Sequence, residues 1–582
     1  MKPESMSWNP CFHCSEPKPI HLVPHPESTI TLQGYRKPTM YHPGYEHISN
    51  LFVKHGSNST DSCRLDCQSH WVQQGTPVKK GETRILIQQA NTKQSPREIT
   101  AYCKISHCLD PIRWMKGKYE LGDKPSDSTH EKRWQRAQEK LNNPMNQAYV
   151  ESIACYLVGK SREADLSPHF SLFYGSLQAN AESYIYNVSE DFGTFRNYDW
   201  FWHGKEKNWF QLQLESNALS AEEKEDWIQK PESICLDSFT INSSSTKSSK
   251  TSLSEEILAD AHNDAESIGS MKTANLSFHS ESSSEDEQSS SHENMKDEET
   301  DSNDDDDDDD ESSDIEINAI FHDFPVLLTY LEKSEGTMDD LLNEEEFDAA
   351  WETRWSAWIF QVIAGLCFLQ ANFSMTHNDL HTNNIVWTKT SQPFLYYKSK
   401  TGTSMWKIPT FGKIMRIIDF GRAIFRVKDK IIYSDDFNYT NDAGEQYNFG
   451  PLYNPAYPEV WPNPSFDLCR LAVSLFESLY TEEPTMKENG NILSSEPGLE
   501  VKETTSDLFN CMWKWMVTDA KENVLVTPDG DEKYPDFDLY KIISTSCHNA
   551  IPKDQVQKKP FAKFLIQKPK LQAGTKVYTL FC

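Results

Sequence analysis

The ten residues Thr376-His377-Asn378-Asp379-Leu380-His381-Thr382-Asn383-Asn384-Ile385 decide how the chain is read. A turn built of Asn, Asp and Thr would explain their polarity. It would not explain what flanks them. On the N-terminal side, Phe347 to Phe373 carries Trp351, Trp355, Trp358, Ile359, Val362, Ile363, Leu366 and Leu369 on a broad apolar stripe, the pattern of a core helix. On the C-terminal side, Ile385 and Val386 open a short strand. A second segment, Ile417-Ile418-Asp419-Phe420-Gly421, is an apolar strand that ends in a carboxylate. Working outward, Ile99 to Ile105, Phe170 to Leu177 and Phe324 to Leu331 read as strands, and Glu131 to Leu157, Leu468 to Leu479, Asp507 to Val517 and Asp538 to Cys547 as helices.

The first segment resembles the catalytic loop of protein kinases, H-R-D-L-x-x-x-N, with Asp379 and Asn384 at the family's positions. The second resembles the family's D-F-G. The resemblance implies that Asp379 orients the acceptor hydroxyl and takes its proton, while Asn384 and Asp419 hold Mg²⁺ on the phosphates of ATP. Ala101-Tyr102-Cys103-Lys104 looks like the strand whose Lys grips the phosphates. Glu151 is its candidate helical partner, with Glu131 and Glu139 as competitors. Leu331-Glu332 through Leu342 resembles the segment that receives adenine: Leu331 precedes the acidic Glu332, Gly336 makes a turn, and Thr337 caps a helix. Asp467 looks like the buried Asp that supports the catalytic loop's backbone. The resemblance covers about residues 95–215 and 319–548. It implies an α+β, bilobal protein-kinase-like fold and transfer of the γ-phosphate to Ser or Thr hydroxyls of protein substrates. The wording H-N-D-L-H-x-N-N-I is most similar to divergent Ser/Thr kinase-like proteins of large cytoplasmic DNA viruses.

Several positions depart from the family's pattern. No G-x-G-x-x-G precedes Lys104, and His55-Gly56-Ser57 is a poor substitute, so a pseudokinase or interaction scaffold is the alternative function. Asn378 stands where the family has the Arg that contacts a phosphorylated activation loop, so control through such a phosphate is not expected. His381 replaces a Lys. Asp379-Leu380-His381 also resembles small-molecule kinases of the aminoglycoside and choline type, a third reading. Tyr457-Pro458-Glu459 lies only a few residues before Asp467, which implies a shortened or rearranged activation segment. The 40 residues from Asp379 to Asp419 exceed the family's usual interval, and Lys389 to Lys413 reads as an enlarged hairpin whose polar surplus loops out.

Composition sets the outer limits. The 582 residues carry a net charge of −31. Between Pro231 and Asn318, 26 acidic residues face 4 basic ones, and the run ends in Asp304 to Asp310. Such a segment cannot bury enough apolar area to offset chain entropy, so residues 216–318 are expected to form a disordered acidic insertion. The remaining divisions are an irregular extension with a few short strands (1–95), the small lobe (96–215 and 319–342), the large lobe (343–550) and a tail (551–582). With no basic excess, direct nucleic-acid binding is not expected. Thirteen scattered cysteines fit a reducing compartment better than a disulfide framework. The absence of a signal-like or bilayer-length apolar run points to a soluble, cytoplasmic protein without membrane contact. Cys11 and Cys14, with Cys63, Cys67 or His70, admit a zinc site, against free cysteines in a flexible tail.

Overall fold

Phe324–Leu331 (FPVLLTYL) is apolar at almost every position, a composition stable only where both faces of a strand are covered. All eight of its residues are buried. The computed structural model describes residues 20–24, 30–47, 52–54, 63–64, 71–79, 81–88, 95–216, 219–230, 315–427, 430–567 and 571–581, and over these the chain is mixed α+β with several sheets. The aspartate run, His55-Gly56-Ser57 and the Cys11–Cys14 pair lie outside the described residues.

The largest sheet has seven strands. In chain order they are β1 (Thr31–Leu32), β2 (Tyr35–Thr39), β3 (Trp71–Lys79), β4 (Glu82–Gln88), β5 (Arg97–His107), β6 (Phe173–Ala181) and, after three strands of another sheet, β10 (Phe324–Leu331). Their spatial order is β1-β3-β4-β5-β10-β6-β2. The buried β10 thus lies between β5 and β6, antiparallel to both, with Thr329 opposite Lys104. The other three strands, β7 (Tyr184–Asn187), β8 (Gln211–Glu215) and β9 (Glu316–Phe321), form a separate sheet in which β9 is central. One apolar core joins these sheets to the aromatic segment around Phe192, Phe201, Trp202 and Phe210.

Two expected boundaries move. Four of the seven strands, β1 to β4, come from the segment expected to be an irregular extension. β1 is only two residues long, and Gly75, Pro77 and Gly81 within and beside the longer β3 and β4 hide their alternation. The expected acidic insertion is also narrower where it is described, since Ala221–Trp227 is helical and β9 begins at Glu316. Glu215 of β8 sits opposite Glu316, so the two ends of the insertion leave from an antiparallel pair.

A second core surrounds the long helix Trp351–Phe373. Among the described residues this is the one helix long and apolar enough to cross a bilayer, yet 89% of its most apolar window is buried in the protein. The helices that frame the site are, in chain order, α1 (Ser128–Leu141), α2 (Gln147–Glu163), α3 (Met338–Glu344), α4 (Trp351–Phe373), α5 (Phe466–Leu479), α6 (Asp507–Trp515) and α7 (Asp538–Ser546). The single helical stretch expected from Glu131 to Leu157 is therefore two helices. Asn142 ends α1, Pro144 cannot continue it, and Asn146 caps α2 by accepting from the Ala148 N–H. Thr337 caps α3 in a capping box with Asp340, as its sequence implied.

After α4 come β11 (Ile385–Lys389), β12 (Phe394–Ser399), β13 (Met405–Pro409) and β14 (Lys413–Ile417). β11 and β14 pair directly, and β12 and β13 form the enlarged hairpin between them. Its surplus does not loop out. It makes a four-stranded sheet with β15 (Leu565–Ile566) and β16 (Val577–Leu580) from the C-terminal segment, in the order β15-β13-β12-β16. Trp406 and Tyr397 are fully buried there, and the Trp406 indole donates to the Val556 carbonyl at 3.2 Å. The tail beyond residue 550 is thus part of the core.

His169 ties this sheet to the segment before β6. The Met415 carbonyl accepts from its Nδ1 at 2.8 Å, which leaves Nε2 to accept from the Tyr397 hydroxyl at 2.6 Å. Burial holds the imidazole neutral, lowering its pKa to about 4. The unfolded chain takes up the proton near pH 6.5, so the stability held by neutral His169 is present above that pH and is lost as pH falls toward 4. The loss reaches about 3 kcal/mol over that window. Urea unfolding at pH 7.5 and pH 5 should therefore show a smaller stability difference for His169→Gln than for the wild-type chain.

Candidate active site

A hairpin sets the geometry. Ile385 of β11 lies opposite Ile417 of β14, so the residue just before β11 and those just after β14 share one end of the pair. These are Asn384 and Asp419, and the Ile418 N–H donates to the Asn384 carbonyl at 3.0 Å. Asp419 and Asn378 both have φ near +64°, a backbone region in which Asn and Asp are tolerated better than other non-glycine residues.

The loop before β11 hangs on Asp467, at the start of α5 and fully buried. Its carboxylate accepts the backbone N–H of His377 at 3.0 and 3.1 Å and that of Asn378 at 2.9 Å. The His377 ring donates through Nε2 to the Ile418 carbonyl at 2.8 Å. The Asn378 amide donates to the Thr376 and Arg422 carbonyls and accepts from the Tyr447 hydroxyl. The loop is thereby fixed to both β14 and the segment after it. Asn378 is thereby a fully buried hydrogen-bond hub.

Three elements bring charge together at the mouth of the hairpin. Lys104 of β5 places Nζ 2.5 Å from Glu151 Oε1 on α2 and 2.7 Å from Asp419 Oδ1. Ser106 adds a hydrogen bond to the other Glu151 oxygen. Of the rival glutamates, Glu151 is the one that pairs with Lys104, while Glu131 pairs with Lys124. The side chain of Asp419 is the most open of the three, 36% exposed against 16% for Lys104 and 5% for Glu151.

Burial by itself would discharge Lys104, but Asp419 and Glu151 outweigh it and hold the ammonium well above its ordinary range. Burial also works against the Asp419 carboxylate, yet Lys104 pulls its pKa down to about 2. At Glu151 burial dominates over Lys104 and raises the carboxyl to about 7. Repulsion from Asp419 adds to that rise, since one ammonium serves two carboxylates and leaves the triad with a formal surplus of one negative charge.

Asp379 accepts a 2.6 Å hydrogen bond from the Tyr540 hydroxyl of α7. Burial pushes its pKa up, but Arg422, His381, the Tyr540 hydroxyl and Arg470 together bring it below the usual carboxylate range. The Asn384 amide donates to the Asp379 carbonyl at 2.8 Å and lies 3.0 Å from His381 Nε2. That bond fixes the amide's orientation. Asn384 and Asp419 thus supply one amide oxygen and one carboxylate, hard oxygen donors suited to Mg²⁺ that keeps its remaining positions for water and phosphate. Among the described residues, no group of three or more His, Cys, Asp or Glu forms a dedicated metal cage.

The segment expected to receive adenine follows the buried end of β10 and leads into the Thr337 cap. Leu331 is buried at the end of β10. The Glu332 carboxylate accepts the Leu172 N–H and pairs with the buried Arg416 at 2.6 Å, and its own N–H donates to the Leu172 carbonyl. Its side chain is therefore committed within the protein, and contacts to a base from this residue fall to the backbone carbonyl.

Sequence reasoning missed Tyr540, Arg422 and Arg470. Arg422 directly follows D-F-G and could have been flagged as a cation beside a carboxylate site. Tyr540 lies 161 residues from Asp379 and leaves no local signal. No protein-family model and no curated protein matches the chain.

Asp467→Asn would set an amide N–H against the two backbone donors. The expected cost is about 1–3 kcal/mol, measured by urea unfolding, with faster hydrogen exchange at the His377 and Asn378 amides.

Proposed function

We propose that the chain is an ATP- and Mg²⁺-dependent protein kinase of bilobal architecture that phosphorylates Ser or Thr hydroxyls. The observation that carries this reading is the Lys104 ammonium held between Glu151 and Asp419, one hairpin end away from Asn384 and the Asp379 loop. A charged ammonium, a half-buried carboxylate and an oriented amide at one site are what a triphosphate and its cation need.

In this reading Lys104 binds phosphate oxygens, and Glu151 keeps Lys104 aimed. Mg²⁺ on Asn384 and Asp419 would neutralise charge on the phosphates and offset the surplus negative charge of the triad. Asp379 would accept a hydrogen bond from the acceptor hydroxyl and then its proton, as the oxygen attacks the γ-phosphorus and ADP leaves. Its low pKa keeps it ionised at neutral pH, ready to act as the base. His381 lies beside Asn384 at the same site, on the side where the family has a Lys.

A scaffold without nucleotide chemistry is the second reading. Its support is the β3–β4 hairpin: of residues 71–82, only Gly75 and Gly81 are glycine, with Pro77 between them. Gly81, at φ 73°, takes the turn, and its carbonyl accepts from the Cys103 N–H. A hairpin of that composition offers fewer free backbone donors to phosphate than a glycine-rich loop.

The test is incubation of the purified chain with γ-labelled ATP, Mg²⁺ and generic acceptor proteins, beside Asp379→Asn and Asp419→Ala. Label on protein should fall by roughly a hundredfold or more in each variant. Retained label in either variant would sink the assignment. Absence of both label and an ATP-dependent thermal shift in the wild type would favour the scaffold. Label found only on alcohols or sugars would favour a small-molecule kinase.

A further inference from the structure

The segment that follows Asp419 returns to the N-terminus of α2, the helix that carries Glu151. It runs through a short hairpin, Phe425–Val427 with Lys430–Ile432, and reaches a buried 3-10 turn at Asp435–Phe437. There the Asp435 carboxylate collects donors from three successive parts of the small-lobe helices. Lys140 of α1 reaches Oδ2 at 2.6 Å, Asn143 of the connecting turn reaches Oδ2 at 3.0 Å, and the N–H of Gln147, the first residue of α2, reaches Oδ1 at 3.2 Å. The Asp435 N–H returns a bond to the Met145 carbonyl at 2.7 Å. Asp435 is only 4% exposed, and its own carbonyl is anchored by the Asn441 amide at 2.7 Å.

The physics of this contact favours order in α2. The first N–H groups of a helix have no partner within the helix, and its N-terminus carries partial positive charge, so a carboxylate there satisfies a donor and complements the dipole. Lys140 cancels the charge that burial would otherwise penalise. Glu151 lies one turn beyond Gln147 on the same helix, so whatever fixes the start of α2 also fixes Glu151 against Lys104. The D-F-G segment touches the same residue: a Cβ at Gly421 would stand 3.2 Å from the Gln147 amide.

We propose that Asp435 is a built-in positioning residue for the Lys104–Glu151 pair, a genetically encoded carboxylate that holds α2 in place without phosphorylation of the segment after Asp419. The proposal rests on the kinase reading above. A phosphate would meet the same kind of partners, an ammonium, a side-chain amide and a helix N–H, but would have to be added by an enzyme. Asp435 supplies them with an acceptor from the moment of folding. It is consistent with the inward-turned Asn378, which leaves no cation at that position to receive a phosphate.

The experiment uses the full chain, treated with a protein phosphatase, as wild type, Asp435→Asn, Lys140→Met and the double variant. Transfer kinetics, urea unfolding and hydrogen exchange across α2 are read together. Phosphatase-treated wild type should keep its rate. Asp435→Asn should lower kcat by about tenfold and raise KM for ATP, leaving KM for the acceptor protein unchanged. Exchange in the first two turns of α2 should rise while exchange in α6 stays as in the wild type. The double variant should lose little more than Asp435→Asn alone, because both changes break one unit. Wild-type kcat together with unaltered α2 exchange in Asp435→Asn would overturn the proposal, as would loss of wild-type activity on phosphatase treatment. If the wild type transfers no phosphate at all, the kinase reading fails by itself, and α2 exchange in Asp435→Asn still decides whether Asp435 holds the helix.

Discussion

The arrangement depends on one desolvated ammonium. Lys104 is contributed by a strand, Glu151 by a helix and Asp419 by the turn after a hairpin, and only the folded chain brings the three together at 2.5 and 2.7 Å. Burying a Lys without partners would discharge it, and burying either carboxylate without the Lys would do the same to the acid. The three therefore stand or fall together. Their mutual dependence couples the seven-stranded sheet to the core around α4, because no single element can satisfy its own charge.

The supports of that triad are themselves polar and buried, and most are satisfied by backbone. Asp467 holds the His377 and Asn378 amides, His377 holds the Ile418 carbonyl, and Asn384 holds the Asp379 carbonyl. In a low-dielectric interior such bonds define a narrow range of positions, since any shift leaves a donor or acceptor unpaired. Rigidity of this kind is what a site acting through charge placement needs.

What the sequence made legible were the features written locally. Asp379 and Asn384 share one loop, Asp419 closes one strand, and Lys104 sits on an apolar strand, so each could be placed from its neighbours. The continuous apolar run at Phe324–Leu331 and the stripe of α4 were legible for the same reason. Glu151 was only one of several acidic candidates, and its choice needed the packing of α2 on β10 and β6. Tyr540 and Asp435 were not legible, because their partners are distant in the chain and nothing in an isolated Tyr or Asp specifies a tertiary contact. The strands at 31–88 were legible only as a few short strands of unplaced position, because Gly and Pro break their alternation. The β12–β13 hairpin was misjudged as solvent-facing because Trp406 and Tyr397 alternate with Lys, and the surface that covers them comes from the far end of the chain.

That last point bears on how the protein is made. β12 and β13 interrupt the hairpin that aligns Asn384 with Asp419, and they are completed by β15 and β16 at residues 565–580. A chain growing from its N-terminus emerges with both halves of the charged site long before the strands that seal Trp406 and Tyr397 exist. Until then these two large core side chains have only part of their cover, from Phe360 and His169 earlier in the chain. The finished site is thus an event at the end of synthesis, and any ribosome-bound or C-terminally clipped product carries an open apolar seam beside the hairpin that carries Asn384 and Asp419.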